Sequence, residues 1–205
     1  MRVGTRYCFA ILALILGTIG GRSQANAVGG EPFMMTAGGA SQPIGHYEFC
    51  RQHASECSVR SPSLARVRLT TALWAKLVAV NEAVNDAVIP ATDEAIFGRE
   101  EVWTYPNGVG DCEDLALAKR RALIADGWPV GALLMTVVRQ RNGEGHAVLT
   151  VLTDRGDLVL DNLDPRVRVW SETDYQFVKR QSEFNSGRWT TINDARTTSV
   201  GSLTQ

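Results

Sequence analysis

The chain has 205 residues, with 21 basic and 22 acidic side chains and a formal net charge of −1. That balance, with one short basic run at Lys119-Arg120-Arg121, offers no sign of the extended cationic face of a nucleic-acid-binding protein. The length suits one domain with a sizeable core.

Residues 1–27 read as a secretory signal. Arg2 and Arg6 make a basic start, residues 7–19 are nearly all apolar, and Ala25-Asn26-Ala27 is a small-x-small cleavage site. The apolar run is shorter than the roughly 20 residues of a membrane span. An exported chain with no stable membrane anchor after processing is therefore expected; the competing reading is an uncleaved anchor. Cleavage removes Arg2, Arg6 and Arg22 and no acid, so the mature chain is more acidic than the whole.

Residues 28–45, rich in Gly, Ala, Ser and Pro, read as a flexible leader. Cys50 and Cys57 follow. In an oxidising compartment they predict a disulfide closing a short loop; the alternative is zinc held by His46, Cys50, His53 and Cys57. Either reading leaves Cys112 as the odd thiol of the mature chain. A helix is predicted over 70–88, with Leu73, Leu77, Val80 and Val84 on one face and Pro90 closing it. A connecting stretch carries Trp103 and Pro106, and Asn107-Gly108-Val109-Gly110 forms a loop. A second helix is predicted over 112–125, with Leu115, Ala118, Ala122 and Leu123 toward the core and Asp126-Gly127 at its end. The Lys119-Arg120-Arg121 run reads as its solvated face.

After Pro129 the pattern becomes strands, over 132–139, 146–153 and 158–163, with turns at 141–145 and 154–157. Further strands are expected near 167–170 and 175–178. Residues 191–205 read as a polar tail, leaving 46–190 as the domain. Helices followed by an antiparallel meander predict an α+β fold with the helices packed on one face of the sheet.

Cys112 begins the second helix, where unpaired N–H groups and the helix dipole favour a thiolate. His146 can take the thiol proton, and Asp161 can fix the imidazole tautomer. Each residue also has a plainer reading: a small buried cysteine, a strand histidine with satisfied hydrogen bonds, a turn aspartate. A two-residue turn at Arg155-Gly156 would pair residue 150 with 161 and leave His146 about 13 Å from Asp161. A bulge, twist or shifted register would be needed to bring them together. Asp111, Glu113 and Asp114 complement the helix dipole, yet three negative charges oppose a thiolate at Cys112. A bound cation would remove that conflict. Carboxylates and the Asn107 side chain are hard oxygen donors, so calcium is the natural candidate, though the spacing is not that of an EF-hand.

Gly110-Asp111-Cys112-Glu113-Asp114, His146-Ala147-Val148-Leu149 and Val159-Leu160-Asp161-Asn162 resemble, in this order, the motifs of the bacterial transglutaminase-like cysteine proteinases. Val80-Asn81, Val84-Asn85, Trp103 and Glu48-Phe49-Cys50 support the match, which covers roughly residues 44–190. The chain departs from the family pattern after Trp103, at Thr104-Tyr105-Pro106-Asn107. The resemblance implies a papain-like, transglutaminase-type fold in which Cys112, His146 and Asp161 meet. It implies calcium near the nucleophile through Asp111 and Glu113, with Asp114 as a weaker ligand; Asn107 stands as a weaker ligand on its oxygen chemistry alone. It further implies a periplasmic endopeptidase that cuts the N-terminal region of a large surface adhesin to control biofilm attachment. An inner-membrane cyclic di-GMP receptor is the implied regulator. Two other functions fit the same residues: an acyltransferase resolving the acyl-enzyme with an amine, and a calcium-binding module with an inert Cys112. The absence of a Cys-x-x-Cys argues against a thiol oxidoreductase.

Overall fold

The computed structural model describes residues 30–64 and 66–196. The signal-like segment 1–27 lies outside the described residues. Within the stretch read as a flexible leader, Thr36–Ala40 forms strand β1. Its exposed Thr-Ala-Gly-Gly-Ala sequence has no apolar alternation; it is held by main-chain pairing with β9 and by the Thr190 hydroxyl on the Ala37 and Gly38 carbonyls. Ile44–Gln52 and Ala54–Cys57 form helices α1 and α2, which the sequence reading did not anticipate. The long helix α3 spans Thr71–Ala87, and its N-cap Thr70 accepts the Leu73 N–H. Strand β2 (Ile89–Pro90), helix α4 (Asp93–Phe97) and strand β3 (Val109–Gly110) follow. Helix α5 spans Cys112–Ala125, the range read from the sequence.

The second half is strand after strand: β4 (Leu133–Arg139), β5 (Gly145–Thr153), β6 (Gly156–Leu160), β7 (Arg168–Val169), β8 (Gln176–Ser182) and β9 (Asn185–Ile192). They join β1 in a seven-stranded sheet of order β1-β9-β8-β4-β5-β6-β7, with every neighbouring pair antiparallel. β9 extends two residues into the segment read as tail. Beyond it Asp194 and Arg196 form an ion pair at 2.7 Å, so that segment is built into the fold at least as far as residue 196.

Alternation along the strands splits the sheet into two apolar faces. Leu133, Met135, Leu149, Val151, Leu158 and Leu160 pack under Phe49, Leu77, Ala116, Leu117 and Leu123 from the helices. Val138, Val148 and Val159 face the other way, against Met34, Trp170, Phe177 and Ile192. The helices thus cover one face, as the α+β reading expects.

Besides the leader and the tail, two further readings are corrected. Lys119 and Arg120 are buried, and of the basic run Arg121 alone is exposed. Helix α5 packs against the sheet and α3, so its basic residues find partners inside. Arg120 Nε donates to the Leu133 carbonyl at 3.1 Å, and its Nη1 lies 3.7 Å from Glu56. Burial pushes the Lys119 amine down to about 7, against the opposing pull of the Asp161 charge. The β5–β6 turn is the second correction. It falls at Asp154-Arg155, with Thr153 paired to Gly156 and Leu149 to Leu160. One step past the last pair, Asp161 comes opposite Val148, diagonal to His146. Diagonal neighbours are about 7–8 Å apart at Cα, within reach of side chains. No bulge is required, and the 13 Å objection disappears.

Candidate active site

Cys112 is the first residue of α5 and the one free cysteine among the described residues. Gly110, just before it, has no room for a side chain: a Cβ there would lie 2.9 Å from Asp114 Oδ2 and 3.1 Å from Pro106 Cβ. The Cys112 thiol donates to Glu113 Oε2 at 3.1 Å and accepts the Ala147 N–H at 3.4 Å. That second contact ties the start of α5 to β5. Burial, then the charge and hydrogen bond of Glu113, push the thiol well above its ordinary range, while the Ala147 N–H acts the other way.

His146 is buried next to this contact, and its Nε2 lies 2.8 Å from Asp161 Oδ1. Burial of Asp161 favours its neutral form. The His146 bond and charge, the Tyr175 hydroxyl and the Leu163 N–H outweigh it, and the carboxyl lies below its ordinary value. An ionised carboxylate only accepts, so Nε2 is the donor of this bond, and in the neutral imidazole Nδ1 is the acceptor. The Asp161 carbonyl accepts from Asn85 Nδ2 at 2.9 Å, which fastens the Asp161 loop to α3. Cys112 and His146 line one cleft of about 620 Å³ with Glu101, Trp103, Ala147 and Lys179. The structure joins His146 to Asp161 directly and sets Cys112 against the adjacent Ala147 N–H, with the thiol hydrogen directed to Glu113.

The same cleft contains a carboxylate cluster. Oxygens of Asp93, Asp111 and Glu113 lie within 4.8 Å of one another. Burial, and next the Asp111 charge, push Glu113 up to about 9; burial also raises Asp111. Buried Oδ1 atoms of both Asp93 and Asp111 have no hydrogen-bond partner. Sequence reasoning found Asp111 and Glu113 but missed Asp93. Asp93 enters through the parallel β2–β3 ladder, which sets Pro90 beside Gly110 and so brings the residues that follow each strand together. Locally the sequence marks Asp93 only as an acidic first-turn residue behind the Thr92 cap of α4, with nothing to tie it to Asp111. Asp114, named as a weaker ligand, stands outside the cluster. Its Oδ1 accepts the Thr104 N–H at 2.8 Å, and burial raises its carboxyl to about 7. Asn107 lies exposed in the turn before β3. The segment that departs from the family pattern has a bracing role: Thr104 holds Asp114, and the Tyr105 hydroxyl donates to Glu56 at 2.5 Å.

Cys50 and Cys57 are joined in a disulfide, not arranged around a metal. Buried His46 lies against it, approached by Gln181 Nε2 at 3.0 Å and by the Trp189 indole N–H at 3.2 Å. His53 instead lies 3.9 Å from Glu56.

Among solved structures, the chain is similar to Legionella pneumophila LapG in a calcium-bound form, at 24% identity and a TM-score of 0.50, over 80% of this chain and 87% of that one. For the EGTA-treated form of the same protein the identity is 24% and the TM-score 0.49, over 77% and 86%. At this identity the likeness to the calcium-bound form speaks for the fold, a transglutaminase-like protease fold. No curated protein matches the sequence. The model of the family described as bacterial transglutaminase-like cysteine proteinase matches residues 36–197, from β1 to just past the last described residue. With that match spanning the whole sheet and the cleft, the chain belongs to the bacterial transglutaminase-like cysteine proteinases and is a cysteine peptidase.

Proposed function

We propose that this chain is a periplasmic, calcium-dependent endopeptidase with Cys112 as nucleophile, His146 as general base and acid, and Asp161 as the residue that orients it. The observation that carries the reading is the buried His146–Asp161 bond of 2.8 Å, with His146 sharing one cleft with the free thiol of Cys112 at a helix start. His146 Nδ1 takes the thiol proton as sulfur attacks the scissile carbonyl. The same nitrogen returns it to the leaving amine, and water then resolves the thioester. Asp161 keeps the Nε2 proton in place throughout and stabilises the imidazolium.

Calcium fits the site. Asp93, Asp111 and Glu113 form a hard-oxygen donor set, and two of their buried oxygens lack any hydrogen-bond donor. Bound by those three residues, calcium would neutralise the charge beside Cys112 and pin the segments after β2 and β3 together. The calcium-bound state of LapG, similar in fold, supports the same reading. Export to the periplasm is supported by the signal-like residues 1–27 and by the Cys50–Cys57 disulfide, which persists in oxidising compartments. The substrate is the N-terminal region of a large surface adhesin, cleaved to release biofilm attachment, and the regulator is an inner-membrane cyclic di-GMP receptor. Both rest on the family motifs.

The test is incubation of the mature chain with adhesin N-terminal fragments, with calcium or with chelator, and mass mapping of the products. A single internal cut in calcium and none in chelator is expected. Amine incorporation without cleavage would establish the acyltransferase; cutting that ignores chelator would remove calcium from the account.

A further inference from the structure

Asp161 is engaged through both carboxylate oxygens. Oδ1 accepts from His146 at 2.8 Å and from the Leu163 N–H at 3.1 Å, and Oδ2 accepts the Tyr175 hydroxyl at 2.5 Å. The Tyr175 ring also lies against the imidazole, with centroids 5.4 Å apart and planes at 50°. Tyr175 belongs to the loop before β8, and that loop is clamped. Its carbonyl accepts from Arg196 Nη2 at 2.7 Å, and Arg196 Nη1 holds the carbonyls of Trp170 and Thr173 at 3.1 Å. A second cavity of about 470 Å³ opens on this side of the triad. Tyr175 and Asp161 line it, whereas His146 does not.

We propose that Tyr175 is a positioning residue for the peptidase: its hydroxyl occupies Asp161 Oδ2, so that Oδ1 is presented to His146, and its ring shields that bond from the second cavity. The inference rests on the triad reading above. A carboxylate bonded through one oxygen alone can rotate or take up water on the other, and the imidazole it orients then loses its aim. The phenol bond prevents this by occupying Oδ2. Burial and the Asp161 hydrogen bond raise the phenol well above its ordinary value, so it remains a donor throughout the neutral range.

A purely structural tyrosine would support the loop without acting through Asp161, and a double-mutant cycle separates the two roles. The readout is the rate at which iodoacetamide alkylates Cys112 at pH 7 in calcium, mapped by peptide mass, with melting curves in parallel. Four proteins are compared: wild type, Tyr175→Phe, Asp161→Asn and the double variant. Tyr175→Phe keeps the ring and is expected to melt near wild type but react about tenfold more slowly, the value of one net hydrogen bond. The double variant is expected to react no more slowly than Asp161→Asn. A wild-type rate in Tyr175→Phe, or losses that multiply in the double variant, would overturn the proposal. A wild-type Cys112 no more reactive than free glutathione, or an Asp161→Asn variant at full rate, would instead remove the triad reading beneath it.

Discussion

His46 shows how burial sets the chemistry of one side chain. It is 1% exposed, wedged between the disulfide and the Trp103 and Trp189 rings, and N–H donors approach both of its ring nitrogens. Burial, and next the Arg120 charge, lower its pKa to about 4 from 6.5. The unfolded chain therefore binds the proton more readily between those two values. Stability from this residue is present above about 6.5 and is lost as the pH falls toward 4, on the order of 3 kcal/mol in all. An NMR titration should place the His46 midpoint near 4, and urea unfolding should show the loss below pH 6.5. A midpoint at the ordinary value would contradict the burial argument. From the sequence, His46 read as a candidate zinc ligand, because the composition of a cluster is visible there and its oxidation state is not. Cys112, His146 and Asp161 were legible because each falls at a recognisable boundary: a helix start, a strand start, a strand end. Asp93 opens the short helix α4 and Tyr175 precedes β8, but neither lies near Cys112 or Asp161 in sequence, so only the tertiary pairing sets them beside the site.

At the scale of elements, register decides whether the site exists. Placing the β5–β6 turn at Asp154-Arg155, not Arg155-Gly156, moves the pairing by two residues and brings Asp161 diagonal to His146. Turn residues alone did not distinguish the two placements, since Asp-Arg-Gly-Asp accommodates either. The parallel β2–β3 ladder has the same importance for the acid cluster. Calcium should raise the melting temperature of the wild type, because a ligand at about a hundredfold excess over its dissociation constant adds roughly 2.7 kcal/mol. Asp93→Ala should lose most of that rise and the chelator-sensitive activity with it. An equal calcium response in both proteins would place the ion elsewhere. The Cys50–Cys57 bridge joins α1 to the end of α2 across seven residues. Replacing both cysteines by alanine should cost about 2–3 kcal/mol in urea unfolding, the entropy of so short a loop. No measurable loss would mean that the packing around His46 already fixes these helices.

Across the whole molecule, one face of a seven-stranded sheet holds helix α5, and the cleft opens where the start of that helix meets the first residues of β5. The α+β architecture was readable from periodicity: α3 and α5 carry apolar residues at helical spacing, and β4 to β6 are dominated by Leu and Val. The outer strands were not. β1 is exposed and glycine-rich, and in β9 Ser186, Trp189 and Ile192 are buried between polar residues that resemble a loop. These strands take their structure from their neighbours in the sheet. The account of the molecule depends on one atom, the Cys112 sulfur, forming the bond to substrate. The most direct measurement is cleavage of an adhesin fragment by wild type and by Cys112→Ala, both saturated with calcium and matched in melting temperature. The account predicts a loss of at least about a thousandfold with the fold intact. Retained turnover in a well-folded Cys112→Ala protein would contradict it.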